Sequence, residues 1–124
     1  MATITPTPLS LPEPGNPPAW SYQWGPMQLN DVGGALPDVW SFADRSVQVE
    51  GTFGSGGTCS VEGSNDGATY RTLNDVFGNA LSMTAGGIKE INEVTRYLRP
   101  HITAGDGSTS LTVTMFLRRT TPHI

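Results

Sequence analysis

Basic residues are missing from the first third of this 124-residue chain: no Lys or Arg precedes Arg45, and Lys89 is the single lysine. Seven basic residues face eleven acidic ones, giving a net charge of −4 with neutral histidines, so the cationic footprint that nucleic-acid binding requires is absent. One cysteine, Cys59, cannot form an internal disulfide; stability must come from packing or association, and a reducing compartment suits its synthesis. No apolar run approaches the roughly 18–20 residues of a membrane-spanning helix. Residues 1–18 lack both the basic start and the apolar stretch of about 7–15 residues that a secretory signal needs. The expectation is a protein made in a cytoplasm, with neither nucleic acid nor membrane as partner.

The chemistry of catalysis is equally thin. His101 and His123 are far apart, and no cysteine spacing beside them suggests a relay or a zinc set. There is no G-x-S-x-G elbow, and Gly54-Ser-Gly-Gly57 lacks the lysine and following helix of a phosphate loop. Cys59 falls on the inward face of a strand pattern, the position of a packed thiol. Asp66 and Asp106 each precede a glycine, as turn-forming aspartates do, without the density of a calcium loop. No catalytic residue, metal or cofactor is implied, and the chain reads as a non-enzyme.

What the chain does contain is 15 Gly, 10 Pro and 25 Ser or Thr, a composition of turns and strands. With 36% hydrophobic residues, it can bury one modest core. Six prolines crowd residues 1–18, including Pro12, Pro14, Pro17 and Pro18. They fix φ and remove backbone donors, so this segment reads as an extended arm, disordered or ordered against a partner. The domain proper is then residues 19–124. It opens with Trp20, Tyr22 and Trp24 alternating with polar residues, a strand with one aromatic face. That face belongs to the core or forms an interaction surface; with the arm prolines, these three aromatics are the candidate partner-binding residues.

Alternation predicts further strands over Ser46 to Phe53, Thr58 to Gly63, Ala68 to Leu73 and Thr109 to Arg118, where Leu111, Val113, Met115 and Leu117 share a face. Gly63-Ser-Asn-Asp-Gly67 reads as a hairpin connection. Val39 to Phe42, Ala80 to Thr84 and Arg96 to Thr103 are further candidates, with Pro100 suggesting an edge or bulge. Ile88, Ile91 and Val94 recur at three-residue spacing, which predicts one short helix within Gly86 to Val94. Eight or nine short strands with a turn every eight to twelve residues describe an all-β, antiparallel sandwich or barrel.

Val61-Glu-Gly-Ser-Asn-Asp-Gly67, followed by Tyr70 and Leu73, then Arg96-Tyr-Leu-Arg-Pro100 and the Leu-Thr-Val-Thr strand from Leu111, resembles tailed-bacteriophage capsid decoration, or cement, proteins. The resemblance spans roughly residues 45–119. It implies a jelly-roll-like β-sandwich on the virion exterior, with the major capsid protein as partner and a homo-oligomer, dimer or trimer, as the working form. The function implied is stabilising the mature shell by bridging capsid subunits. The same hairpin with a downstream R-Y-apolar-R also resembles discoidin-like carbohydrate-binding sandwiches, and a tail or neck location shares the phage likeness.

Overall fold

The computed structural model describes residues 1–9, 19–37 and 39–119. Pro12, Pro14, Pro17 and Pro18 lie outside the described residues. Two sheets face each other, and they form because apolar residues alternate along the strands that carry them. In β11 (Ser110–Arg118), Leu111, Val113, Met115 and Leu117 are all buried, while the residues between them face out. This strand lies at the centre of one sheet. It is flanked by β3 (Ala19–Met27) and β5 (Asp44–Thr52), with β2 (Thr7–Leu9) and β9 (Gly87–Glu90) at the edges.

The opposing sheet is built on β6 (Thr58–Ser64) and β10 (Tyr97–Ala104), paired antiparallel from Tyr97↔Ser64 to Ala104↔Thr58. On the far side of β6 run β7 (Arg71–Thr72) and β8 (Ser82–Met83). β4 (Val32–Gly33) pairs with β10, and β1 (Thr3–Ile4) pairs parallel to β4. The fold is an all-β sandwich. Its core joins Cys59, Val61, Leu98 and Ile102 from one sheet to Val47, Val49, Val113 and Met115 from the other. Each fully buried aliphatic side chain contributes about 1.5–3 kcal/mol.

The predicted hairpin is present: Ser64 and Asp66 hold the turn, and Gly67 adopts φ +78°, where L side chains are strained. Several expectations need correction. The first nine residues are not a free arm, because β1 joins one sheet and β2 the other, and Ile4 packs on the core. Their prolines are tolerated because β2 is a short edge strand.

The helix expected within Gly86 to Val94 is absent; this stretch forms β9 and then a loop. Ile88 faces solvent, Ile91 is buried and Val94 is exposed, so the three-residue spacing did not mark a common face. The strand expected at Val39 to Phe42 is a single 3-10 turn, Val39–Ser41. The strand expected over Ala68 to Leu73 shrinks to Arg71–Thr72, because Asp66 binds the amides of Ala68 and Thr69. Pro100 is on an interior strand, not an edge. The bulge lies next to it, between Ile102 and Ala104. A Cβ on Gly33 would lie 2.5 Å from the Pro100 ring, so glycine is what lets β4 approach there.

Candidate interaction surface

At one end of the sandwich, the chain entering β5, the 3-10 turn and the loop from Ile91 to Arg96 converge on Arg45. This guanidinium is buried, yet among the described residues no carboxylate pairs with it. It donates instead to the carbonyls of Phe42 (2.7 Å), Val39 (2.8 Å), Thr95 (2.7 Å) and Glu93 (3.2 Å), and to Thr95 Oγ1 (3.3 Å). Burial pulls its pKa down to about 10, still far enough above neutrality to keep it charged. A planar fork with five donors suits such a cage of carbonyls, and it draws both loops onto the sheet end.

The result is an aromatic end. Trp20 and Tyr22 stack with ring centroids 6.5 Å apart and an interplanar angle of 25°. With Pro37, Val39 and Phe42 they wall an apolar pit of about 90 Å³, floored by Leu36 and Leu117. Trp20 at the rim is 44% exposed, and Trp40, carried on the 3-10 turn, is 64% exposed. The Arg119 guanidinium lies 5.7 Å from the Phe42 ring centre, and its Nε is buried without a hydrogen-bond partner among the described residues.

The three aromatics singled out by alternation therefore separate. They share one face, as their spacing implies, but that face points between the sheets. Trp24 is fully buried, and its Nε1 donates to Gly34 O at 3.0 Å. It is a core residue, which corrects its assignment as a partner-binding anchor. Tyr22 lines the pit and Trp20 forms its rim. Phe42, Pro37 and Arg45 were not picked out by sequence reasoning; the apolar Val39 to Phe42 run was the available signal, and it was read as a strand.

On the outer face of the β6–β10 sheet, Glu62 accepts from Arg99 Nε (2.9 Å) and lies 3.1 Å from His101 Nδ1. The Arg99 guanidinium stacks 3.7 Å over Tyr70. Ser60 stands opposite His101 in the ladder, but its hydroxyl is engaged by Ser82 Oγ at 3.2 Å, with Thr103 Oγ1 at 3.5 Å. Serine, imidazole and carboxylate are thus not aligned as a relay. Burial pushes the Cys59 thiol up to about 12, the environment of a packed core thiol.

The aspartates serve turns. Asp66 accepts from the Thr69 and Ala68 amides and from Ser64 Oγ, which hold it near 2. Ser108 Oγ and the amides of Ser55 and Ser108 do the same for Asp106, also near 2. Among the described residues no cluster of three or more His, Cys, Asp or Glu side chains forms a metal site, and no helix is long and apolar enough to cross a membrane. A shallow depression of about 480 Å³ on the outer face of the other sheet runs between Asp44, Ile88, Glu90, Phe116 and Arg118. Its ionic groups are paired in part, Arg118 donating to Asp44 at 2.6 Å.

No family model matches this chain, and no curated protein and no solved structure matches it either.

Proposed function

We propose that this protein is a structural virion component that binds the outside of a tailed-phage capsid and stabilises the mature shell by bridging major capsid protein subunits, using its aromatic end as the docking surface. The observation that carries the proposal is that one end of the sandwich exposes two tryptophans, Trp20 of β3 at an apolar pit and Trp40 on the 3-10 turn that Arg45 holds. Aromatic side chains on a held backbone are the residues that dominate binding energy at protein interfaces. The end of β2 at Leu9, paired with Ser21, lies at this same end beside Trp20. Binding only the mature arrangement of subunits stabilises it by mass action, without chemistry. Jelly-roll-like connectivity, a homo-oligomeric working form and location on the capsid exterior belong to this proposal.

Co-sedimentation with mature capsids stripped of decoration tests it. Saturable binding at a copy number fixed by the shell symmetry is expected, and Trp40→Ala should weaken it about tenfold. Absence of capsid binding overturns the proposal. One observation favours a second reading, a carbohydrate-binding module: Trp40 at 64% and Trp20 at 44% exposure are geometrically available as stacking platforms for sugar rings. Sugar-specific signal on a glycan array, with no capsid binding, would establish that reading in its place.

A further inference from the structure

Among the described residues nothing pairs with the outer side of β9, the edge strand beyond β5. In an antiparallel ladder, residues that exchange hydrogen bonds alternate with residues that do not. Ile91 N donates to Arg45 O (2.9 Å), and Lys89 and Gly87 stand opposite Val47 and Val49 in the same phase. The backbone groups of Ile88 and Glu90 therefore point away from β5, and no loop or turn hydrogen bond among the described residues engages them. The other edges are guarded. β1, β7 and β8 have two residues each, and β2 has three with Pro8 in the middle; short strands and prolines discourage pairing with another chain. β9 runs four residues without a proline, pairs with β5 without a register shift, and turns Ile88 outward at 65% exposure.

We infer that β9 of one copy of this chain pairs antiparallel with β9 of a second copy across a two-fold axis at Ile88, joining their two five-stranded sheets into one. This names the interface of the homo-oligomer that the proposed function includes, and to that extent it rests on that reading. Symmetry and charge select the pairing. A strand that meets its own copy about a two-fold perpendicular to it runs antiparallel, and the outward groups of Ile88 and Glu90 restrict the register. Centred on Glu90, the ladder sets Glu90 against Glu90. Centred on Lys89, it sets Lys89 against Lys89 at the close spacing of a non-bonded pair. Like charges directly opposite each other are destabilising. Centred on Ile88, the ladder sets Ile88 against Ile88, Lys89 against Gly87 and Glu90 against Gly86, so the exposed aliphatic chains cover each other and each charge meets a glycine. About six backbone hydrogen bonds form. One contact opposes the pairing: Glu90 of the second copy approaches Glu50, whose Oε1 lies 2.9 Å from where a Cβ on Gly86 would stand. A ladder this short covers less than the roughly 1,200 Å² of a stable interface. The dimer is therefore weak in dilute solution and favoured where copies are held close together, as on a shell.

Sedimentation velocity from micromolar to millimolar protein, with no capsid present, tests the pairing. The wild-type chain should pass from monomer to dimer and no further, because an isologous contact closes on itself. Ile88→Pro removes a donor that points away from β5 and leaves the ladder within the chain intact. It should weaken the dimer about tenfold or more, through two hydrogen bonds lost across the axis, at an unchanged urea midpoint. If that variant loses cooperative unfolding, Ile88→Lys replaces it and sets like charges on the axis. Glu90→Gln should tighten the dimer by relieving the approach to Glu50. Ile88→Cys, treated with diamide, should cross-link copies, since residues of a bonded pair stand about 5.5 Å apart between Cα atoms, within disulfide reach. Phe77→Cys, at a position 85% exposed on the turn after Asp75, should cross-link far less. A chain that stays monomeric at millimolar concentration overturns the inference. So do species larger than a dimer, a dimer indifferent to Ile88→Pro or Ile88→Lys, a dimer weakened by Glu90→Gln, or cross-linking no better at Ile88 than at Phe77. A dimer that ignores capsids sinks the functional reading alone; capsid binding by a chain that never dimerises sinks this one alone.

Discussion

Arg45 shows how one side chain organises a surface. Four carbonyls from two loops point at it; removing it strips the Phe42, Glu93 and Thr95 carbonyls of this donor, while Val39 O keeps the Phe42 amide, and each buried group left unpaired costs about 1–3 kcal/mol. Arg45→Ala should therefore destabilise the protein by about 3 kcal/mol or more, read as a lower urea midpoint, and Trp40 emission should shift as its supporting turn loosens. At the same scale, Asp66 and Asp106 make a prediction about acid. Their carboxylates are held near 2 in the fold, against an ordinary value of about 3.9 when unfolded. A group whose folded pKa is depressed contributes its stabilisation fully above the unfolded value and loses it as pH falls toward the folded one. The urea midpoint should accordingly be flat from pH 7 to about 5 and fall between about 4 and 2, and Asp66→Asn with Asp106→Asn should flatten that fall.

Among elements, the first nine residues carry the largest departure from expectation. Ala2 N donates to Asp31 Oδ1 (3.0 Å), Ala2 O accepts from Val32 N, and Ile4 O accepts from Gly34 N. β1 and β2 thus hold an edge of each sheet. Deleting residues 2–9 should cost about 2 kcal/mol or more, since it strips Ile4 from the core and orphans Val32 and Gly34; thermal unfolding checks it, and an unchanged midpoint would show that these strands contribute nothing. What was legible at this scale was whatever alternates. β3, β5, β6, β10 and β11 follow directly from their apolar periods, because apolar residues on alternate positions go into the core, although in β6 Ser60 and Ser64 on the other face are buried as well. The short elements were not legible: Pro6 after β1 and Pro8 within β2 argue against strands, and β9 has Gly87, Ile88 and Lys89 with no repeat long enough to show its period. The 3-10 turn at Val39 owes its shape to Arg45, which lies outside the turn in sequence.

For the molecule as a whole, the candidate surface was only half readable. Trp20 and Tyr22 were visible as an aromatic face, but alternation alone does not say whether such a face looks inward. The register opposite Val113, Met115 and Leu117 decides that it does, and only the sandwich's open end leaves Trp20 in solvent. Trp40, Phe77 and the pit are products of loop geometry, which no local pattern encodes. The feature with the widest reach is the place of β11. The ribosome makes it after β3, β5 and β9, yet it is the strand that joins β3 to β5. A nascent chain therefore carries β3 and β5 each with one unpaired edge until β11 itself has left the exit tunnel, a stretch of synthesis in which chaperone capture or premature pairing competes with closure of the fold.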